Sequence, residues 1–251
     1  GRILAAPDWD LAQLGPDFLG EATAFVKRQG KGQTPFFLYY VPTANHLQQN
    51  PSGPYAVPEA IAGTPIKGKS GYTDGSKGGE REDMVLENDV AFGALLETLR
   101  ETDDPRSPGH KLIDNTLVIF TSDNGPAFGA RPDQVPQGMS TDTRRYNCGF
   151  NGQKGSVYEG GIRVPMVLRW PDGLQGRRRI DELVHGMDWL PTLAGLCGVE
   201  RPGGRPLDGR DAAAVLRGTA DEAPPRFWQL NQFQPVGWIN ATGLGNWCVP
   251  N

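Results

Sequence analysis

Asp123 and Asn124 stand side by side at the end of an apolar run and are followed at once by Gly125. A carboxylate beside a carboxamide offers two hard oxygen ligands, which suit Ca²⁺ or Mg²⁺ better than zinc. The glycine permits a tight turn that holds both side chains towards one point. Asp-Asn-Gly is equally a common turn sequence, so the tripeptide by itself leaves both readings open. His46 lies six residues after Tyr40, and Lys154 lies between Gly152 and Gly155. An imidazole exchanges protons near neutral pH, and an ammonium on a glycine-flanked turn has little steric cover against an anion. Each of the two is also an ordinary surface side chain when taken alone. Glu159 and Arg163 flank two glycines and read as an architectural turn with an ion pair. Arg177, Arg178 and Arg179 read as a solvated loop, and Asp188 reads as the cap of a following helix rather than as a ligand.

These residues need elements to hold them. Pro35-Phe36-Phe37-Leu38-Tyr39-Tyr40-Val41 is a short continuous apolar run, the pattern of a strand buried on both faces, and Thr116 to Thr121 is a second. A third strand is expected near Val164 to Trp170 and a fourth near Ile180 to Val184. Helices are expected from about Pro16 to Gln29, with Phe18, Ala22, Phe25 and Val26 at helical spacing, and from Glu80 to Glu101. The second helix has Val85, Val90, Leu95, Leu96 and Leu99 as its apolar face. Further helices are expected over Asp188 to Cys197 and Asp211 to Leu216. Residues 42–79 and 126–155 are rich in Gly, Pro, Asn, Gln and Ser and read as long functional loops. The order of elements points to an α/β fold with a largely parallel sheet, in which ligands gather beyond the carboxyl ends of the strands. Asp123, Asn124 and His46 all follow such ends.

Composition narrows the classes. Lys plus Arg is 25 against 29 for Asp plus Glu, a formal charge of −4, which argues against a chain that coats a nucleic-acid backbone. No apolar run reaches the roughly 18 residues that a membrane span needs. Cys148, Cys197 and Cys248 show no zinc spacing and read as unpaired thiols. The chain starts at Gly1 with neither an initiator Met nor a leader pattern, so either its start was removed or it is a piece of something longer.

Four stretches together resemble the sulfatase family, the formylglycine-dependent branch of the alkaline-phosphatase-like superfamily. They are Pro35 to Tyr40 with His46 after it, Asn115 to Gly125, Lys154 to Pro165, and Asp188-Trp189-Leu190-Pro191-Thr192-Leu193. The likeness runs from about Phe18 to Trp247. It implies an α/β alkaline-phosphatase-like catalytic domain over residues 1–218, a mostly parallel sheet flanked by helices, and the start of a small C-terminal subdomain over residues 219–251. It implies that Asp123 and Asn124 bind a divalent metal, Ca²⁺ rather than Mg²⁺. It implies that His46 and Lys154 are catalytic and bind the substrate sulfate, the lysine through its oxygens and the histidine also serving the leaving oxygen.

The substrate class implied is a sulfated small molecule or sulfated carbohydrate, with no nucleic acid as partner. The implied setting is periplasmic, secreted or lysosomal. The attacking formylglycine, made from Cys or Ser in a C-x-P-S-R-like motif, is expected upstream of Gly1, since Cys248-Val249-Pro250-Asn251 lacks the Ser and Arg. The 251-residue chain alone is therefore expected to be inactive. Two other readings are a non-catalytic oxyanion- or carbohydrate-binding relative and a phosphate or phosphonate ester hydrolase of the same superfamily. Tyr55, Tyr72, Phe128 and Tyr146 are expected to shape the pocket around the leaving group.

Overall fold

The computed structural model describes residues 10–46, 55–126, 148–174, 176–200, 203–220, 227–229 and 248–250. Phe128, Tyr146, Trp238 and Trp247 lie outside the described residues. The chain forms two compact units, Gly1–Thr116 and Leu117–Asn251.

The first unit is built on two helices. Asp10 accepts the amide of Ala12 at 2.9 Å and starts a 3-10 turn, Leu11–Gln13, which runs into α1, Leu14–Gln29. Leu19, Ala22 and Val26 recur at helical spacing and are buried, while Phe18 stays exposed. Helix α2, Glu80–Glu101, is capped where Glu82 Oε2 accepts the amide of Gly79 at 2.8 Å. Its first turn carries Glu80, Glu82 and Asp83, which complement the helix dipole. The expected limits of α2 hold, but its buried stripe is different. Met84, Glu87, Ala91 and Thr98 face inward, and Val85 is 49% exposed. A stripe that includes Glu87 and Thr98 cannot be found by tracking apolar residues. At Gly15 a Cβ would overlap the Glu87 carboxylate, so α1 offers bare backbone there to the Glu87 side chain of α2.

The loop 42–79 contributes to the core, which its composition concealed. A hairpin of β1, Ala60–Ile61, and β2, Thr64–Pro65, pairs antiparallel. Tyr55, Val57, Ile61 and Ile66 are buried with Met84, Leu99, Leu112 and Ile113. Asp83 clamps the segment after the hairpin by accepting the amides of Gly68 at 2.7 Å and Ser70 at 3.0 Å. Residues 35–41, expected as a doubly buried strand, are extended but join no strand pair among the described residues. Phe36, Leu38 and Tyr40 are half-buried; Phe37, Tyr39 and Val41 are exposed, with Tyr39 at 80%. Burial on one side only is what an extended ribbon shows when a single layer of helix covers it.

In the second unit β3, Val118–Thr121, pairs with β4, Met166–Arg169, antiparallel and in the register Val118 to Arg169 through Thr121 to Met166. Between them lies the short helix α3, Glu159–Ile162. A 3-10 turn, Gly186–Asp188, leads into α4, Trp189–Cys197, which ends at Gly198 in a left-handed conformation. Asp188, 1% exposed, accepts the amides of His185 at 2.8 Å and Arg210 at 2.7 Å. It stands at the N-cap position of α4, as expected, but its side chain makes no capping bond to that helix; it closes the 3-10 turn before it and ties that turn to the Arg210 segment. Helix α5 is Ala213–Arg217, and β5, Phe227–Gln229, pairs antiparallel with β6, Cys248–Pro250.

The class is α/β, and the three strand pairs among the described residues are each antiparallel. Residues 180–184 carry no strand, because no neighbour among the described residues offers them a ladder. Cys148 and Cys197 are free and exposed. Arg178 is not simply solvated: its guanidinium donates to the carbonyls of Val215, at 3.1 Å, and Leu216, closing the end of α5.

Candidate functional site

Strand β3 ends at Thr121, and the chain turns at once through Ser122, Asp123, Asn124 and Gly125. Ser122 Oγ donates to the Asn124 carbonyl at 3.2 Å, and Asn124 Nδ2 donates to the Gly125 carbonyl at 2.9 Å. Asp123 is exposed and Asn124 half-buried.

The loop that carries Lys154 is ordered by its own side chain. Ser156 Oγ donates to the Gln153 carbonyl at 2.8 Å and accepts the Gln153 amide at 3.1 Å. Gly155 adopts φ +84°, a left-handed conformation that favours glycine, and Lys154 itself is exposed.

Turn and loop are joined through backbone. The Gly125 amide donates to the Gly161 carbonyl at 2.9 Å, and the Lys154 amide donates to the Pro126 carbonyl at 2.8 Å. A further bond runs from the Gly160 amide to the Asn151 carbonyl at 2.7 Å. A Cβ at Gly125 would run into the backbone of Gly160 and Gly161, and a Cβ at Gly160 into that of Gly152. Three glycines thus let chain lie on chain, and Asp123, Asn124 and Lys154 are carried by one interlocked piece. The Glu159–Arg163 pair, 2.9 Å apart, spans α3 on its exposed side, and the Arg163 guanidinium lies 5.0 Å from the Phe150 ring centre. That agrees with the architectural reading of this turn. Gly160 and Gly161 are the residues whose importance side-chain chemistry alone did not reveal; their doublet before a strand was the available signal.

His46 belongs to the other unit. It is exposed and closes a turn in which its amide donates to the Thr43 carbonyl at 3.3 Å. Ala44 in that turn is buried and Asn45 has φ +71°.

As a metal site, Asp123 and Asn124 supply the hard oxygens that a hard cation takes, but two residues fall short of the six or more oxygens calcium prefers. Among the described residues no group of three or more His, Cys, Asp or Glu side chains stands close enough to hold a metal. No helix among the described residues is long and apolar enough to cross a membrane.

Comparison with known proteins matches residues 13–199 to the family model described as Sulfatase. N-acetylgalactosamine-6-sulfatase of Sus scrofa is 33% identical over 215 residues, which are 85% of this chain and 35% of that protein. Steryl-sulfatase of Mus musculus is 37% identical over 180 residues, 69% of this chain and 26% of its own length. The chain thus spans about a third of the length of the curated relatives it matches. Among solved structures, a Bacteroides thetaiotaomicron protein from a locus for the metabolism of multiple glycosaminoglycans superposes with a TM-score of 0.61 at 24% identity. It covers 87% of this chain and 40% of that one. The PsFucS1 sulfatase of Pseudoalteromonas sp. gives 0.54 at 22% identity, covering 90% and 40%. At these identities the likeness establishes the α/β fold.

Proposed function

This chain belongs to the sulfatase family, and we propose that it supplies the metal turn, the sulfate-holding lysine and the proton-handling histidine of a sulfuric ester hydrolase. The observation that carries the reading is the backbone interlock of the Asp123–Asn124 turn with the Lys154 loop, which puts a pair of hard oxygens and a cation on one rigid piece.

Hydrolysis of a sulfate monoester transfers a sulfuryl group and releases an alcohol, and its demands are positioning and charge neutralisation. The Lys154 ammonium hydrogen-bonds the sulfate oxygens and offsets their charge. His46, as imidazolium, gives its proton to the oxygen that leaves. Asp123 and Asn124 hold the divalent cation, Ca²⁺ in this reading, which when bound polarises the sulfate and draws charge from it. The formylglycine nucleophile is assigned to sequence beyond these 251 residues, since no C-x-P-S-R-like motif occurs within them.

The substrate proposed is a sulfated carbohydrate or sulfated small molecule. The names N-acetylgalactosamine-6-sulfatase and steryl-sulfatase among the relatives support both classes. A lysosomal, secreted or periplasmic setting is proposed with it, as is a boundary near residue 218 between the catalytic domain and a C-terminal subdomain. The test is turnover of an aryl sulfate by the protein with its nucleophile in place, comparing Lys154→Ala with Arg179→Ala. Arg179 is a suitable control because its side chain is 82% exposed and its ion pair, at 2.6 Å, is with the likewise exposed Asp181. A large loss for lysine alone supports the reading; equal effects overturn it.

A further inference from the structure

Helix α2 presents Glu87 and Asn88 to the segment that leads to His46. Asn88 Nδ2 donates to the Ala44 carbonyl at 3.4 Å, in the turn that His46 closes. The Glu87 charge reaches the Tyr40 hydroxyl four residues earlier. At the start of the same segment Phe36 meets Phe25 of α1 edge to face, with ring centres 5.9 Å apart. The segment has no backbone ladder of its own between residues 35 and 41 among the described residues. The Asn88 hydrogen bond and the Phe25–Phe36 ring contact tie it to the helices.

The middle of this run carries an unusual burden. Glu87 is 3% exposed, and Glu87 Oε2, Asn88 Oδ1 and the Tyr40 hydroxyl are all buried with no hydrogen-bond partner among the described residues. Buried polar atoms left so are destabilising, and apolar side chains would serve a purely structural helix better here. Gly15 adds to this, since α1 gives up a side chain to admit the Glu87 carboxylate. Polar groups kept at such a cost are placed for direction rather than for stability. The charged groups on α2 nearest in sequence, Asp83 and Asp89, are engaged with the Gly68 and Ser70 amides and exposed, respectively.

We propose that Glu87 and Asn88 are positioning residues for the catalytic histidine, fixing the Thr43–His46 turn on α2 so that the imidazole is held in one place. The role of His46 in this statement rests on the function proposed above. Asn88 grips the turn directly, and Glu87 beside it seats that stretch of α2 against the bare backbone of Gly15 in α1. Burial pushes the Glu87 carboxyl up to about 7.

The experiment is backbone relaxation by NMR on the 251-residue chain. Asn88→Ala and Asn88→Asp, which both lose the donor, should lower the order parameters of residues 44–46 from about 0.85 to below about 0.6, with α1 and α2 unchanged. Glu87→Gln, which keeps shape and hydrogen-bonding groups, should leave the turn rigid, whereas Glu87→Ala should loosen it. A turn that stays rigid in both Asn88 variants, or loosening spread evenly over both helices, overturns the proposal. In the turnover assay, Asn88→Asp should lower kcat about tenfold or more with KM within about twofold. A loosened turn with unchanged kcat leaves Asn88 as the residue that positions the turn and removes His46 from the chemistry.

Discussion

The amide of Lys154 donates to the carbonyl of Pro126 at 2.8 Å, so the loop bearing the cation is tied to the turn bearing Asp123 and Asn124. The bond uses main chain on both sides. The loop is thus held through its main chain, whatever side chain residue 154 carries. Removing the ammonium should therefore remove chemistry and little else.

Lys154→Ala is expected to melt within about 1 kcal/mol of the parent, because an exposed side chain away from caps and cores contributes little. Its turnover of a sulfate ester should fall by about a hundredfold or more, in line with loss of a group stabilising transition-state charge. Thermal unfolding and initial rates measured on one preparation separate the two. A stability loss as large as the activity loss would show that the lysine holds the loop after all.

Gly125→Ala is expected to do the reverse. The added methyl meets the backbone of Gly160 and Gly161, which cannot swing aside as a flexible side chain would. Overpacking of this kind costs about 1–3 kcal/mol. It should part the turn from the Lys154 loop, so calcium binding and activity should decline together with the unfolding midpoint in urea. An unchanged midpoint would mean the interlock is looser than the hydrogen bonds indicate.

The first unit should lose stability between mildly acid and mildly alkaline pH. Burial pushes Glu87 up from an ordinary 4.5 to about 7, so between these values the folded chain holds a proton that the unfolded chain has released. Stability from this group is complete below pH 4.5, falls as pH rises, and levels off above pH 7 at a cost of up to about 3 kcal/mol. Asp83 has the opposite sign. Burial opposes its charge, but hydrogen bonds from the Ser70 side chain and the backbone of Gly68, Ser70 and Lys69 outweigh it and lower its pKa. Its contribution is present above 3.8 and disappears as pH falls through the folded value. Denaturant titrations from pH 4.5 to 8 should show the decline, and Glu87→Gln should flatten it. A slope that survives that substitution would place the titrating group elsewhere.

Arg178→Ala should destabilise the second unit by about 1 kcal/mol, as its guanidinium satisfies two carbonyls at the end of α5. Arg179→Ala beside it should be neutral, since an ion pair between two exposed side chains contributes little. Chemical unfolding of the two variants makes the comparison, and equal midpoints would return Arg178 to the solvent.

Side-chain types suggested a chemistry and said less about its support. Asp123, Asn124 and Lys154 were singled out by the wording of whole motifs, since Asp-Asn-Gly alone is a common turn and a glycine-flanked lysine alone an ordinary surface residue. Their coupling was not, because it runs through the amide of Gly125 and the carbonyls of Pro126 and Gly161, which every residue possesses. Helix α2 began and ended where its glycine, acidic first turn and periodicity indicated. Its inward face was read in part: Leu99 is buried as expected, but tertiary packing chose Met84, Glu87 and Ala91 over Val85 and Val90. Ile61 and Ile66 were hidden by the polar company they keep, since two apolar residues in a Gly- and Pro-rich stretch make no period. Residues 35–41 read as a strand from composition, but pairing is a property of neighbours and composition says nothing of them.

Phe37, Tyr39 and Val41 project from one side of that ribbon, all more than half exposed. A row of apolar side chains beside unladdered peptide groups is the pattern that draws one molecule onto another. For the 251-residue chain, concentration is consequently a variable in its own right. Light scattering that grows with protein concentration, and subsides when Tyr39 is changed to Lys, is the colloidal signature this ribbon should leave.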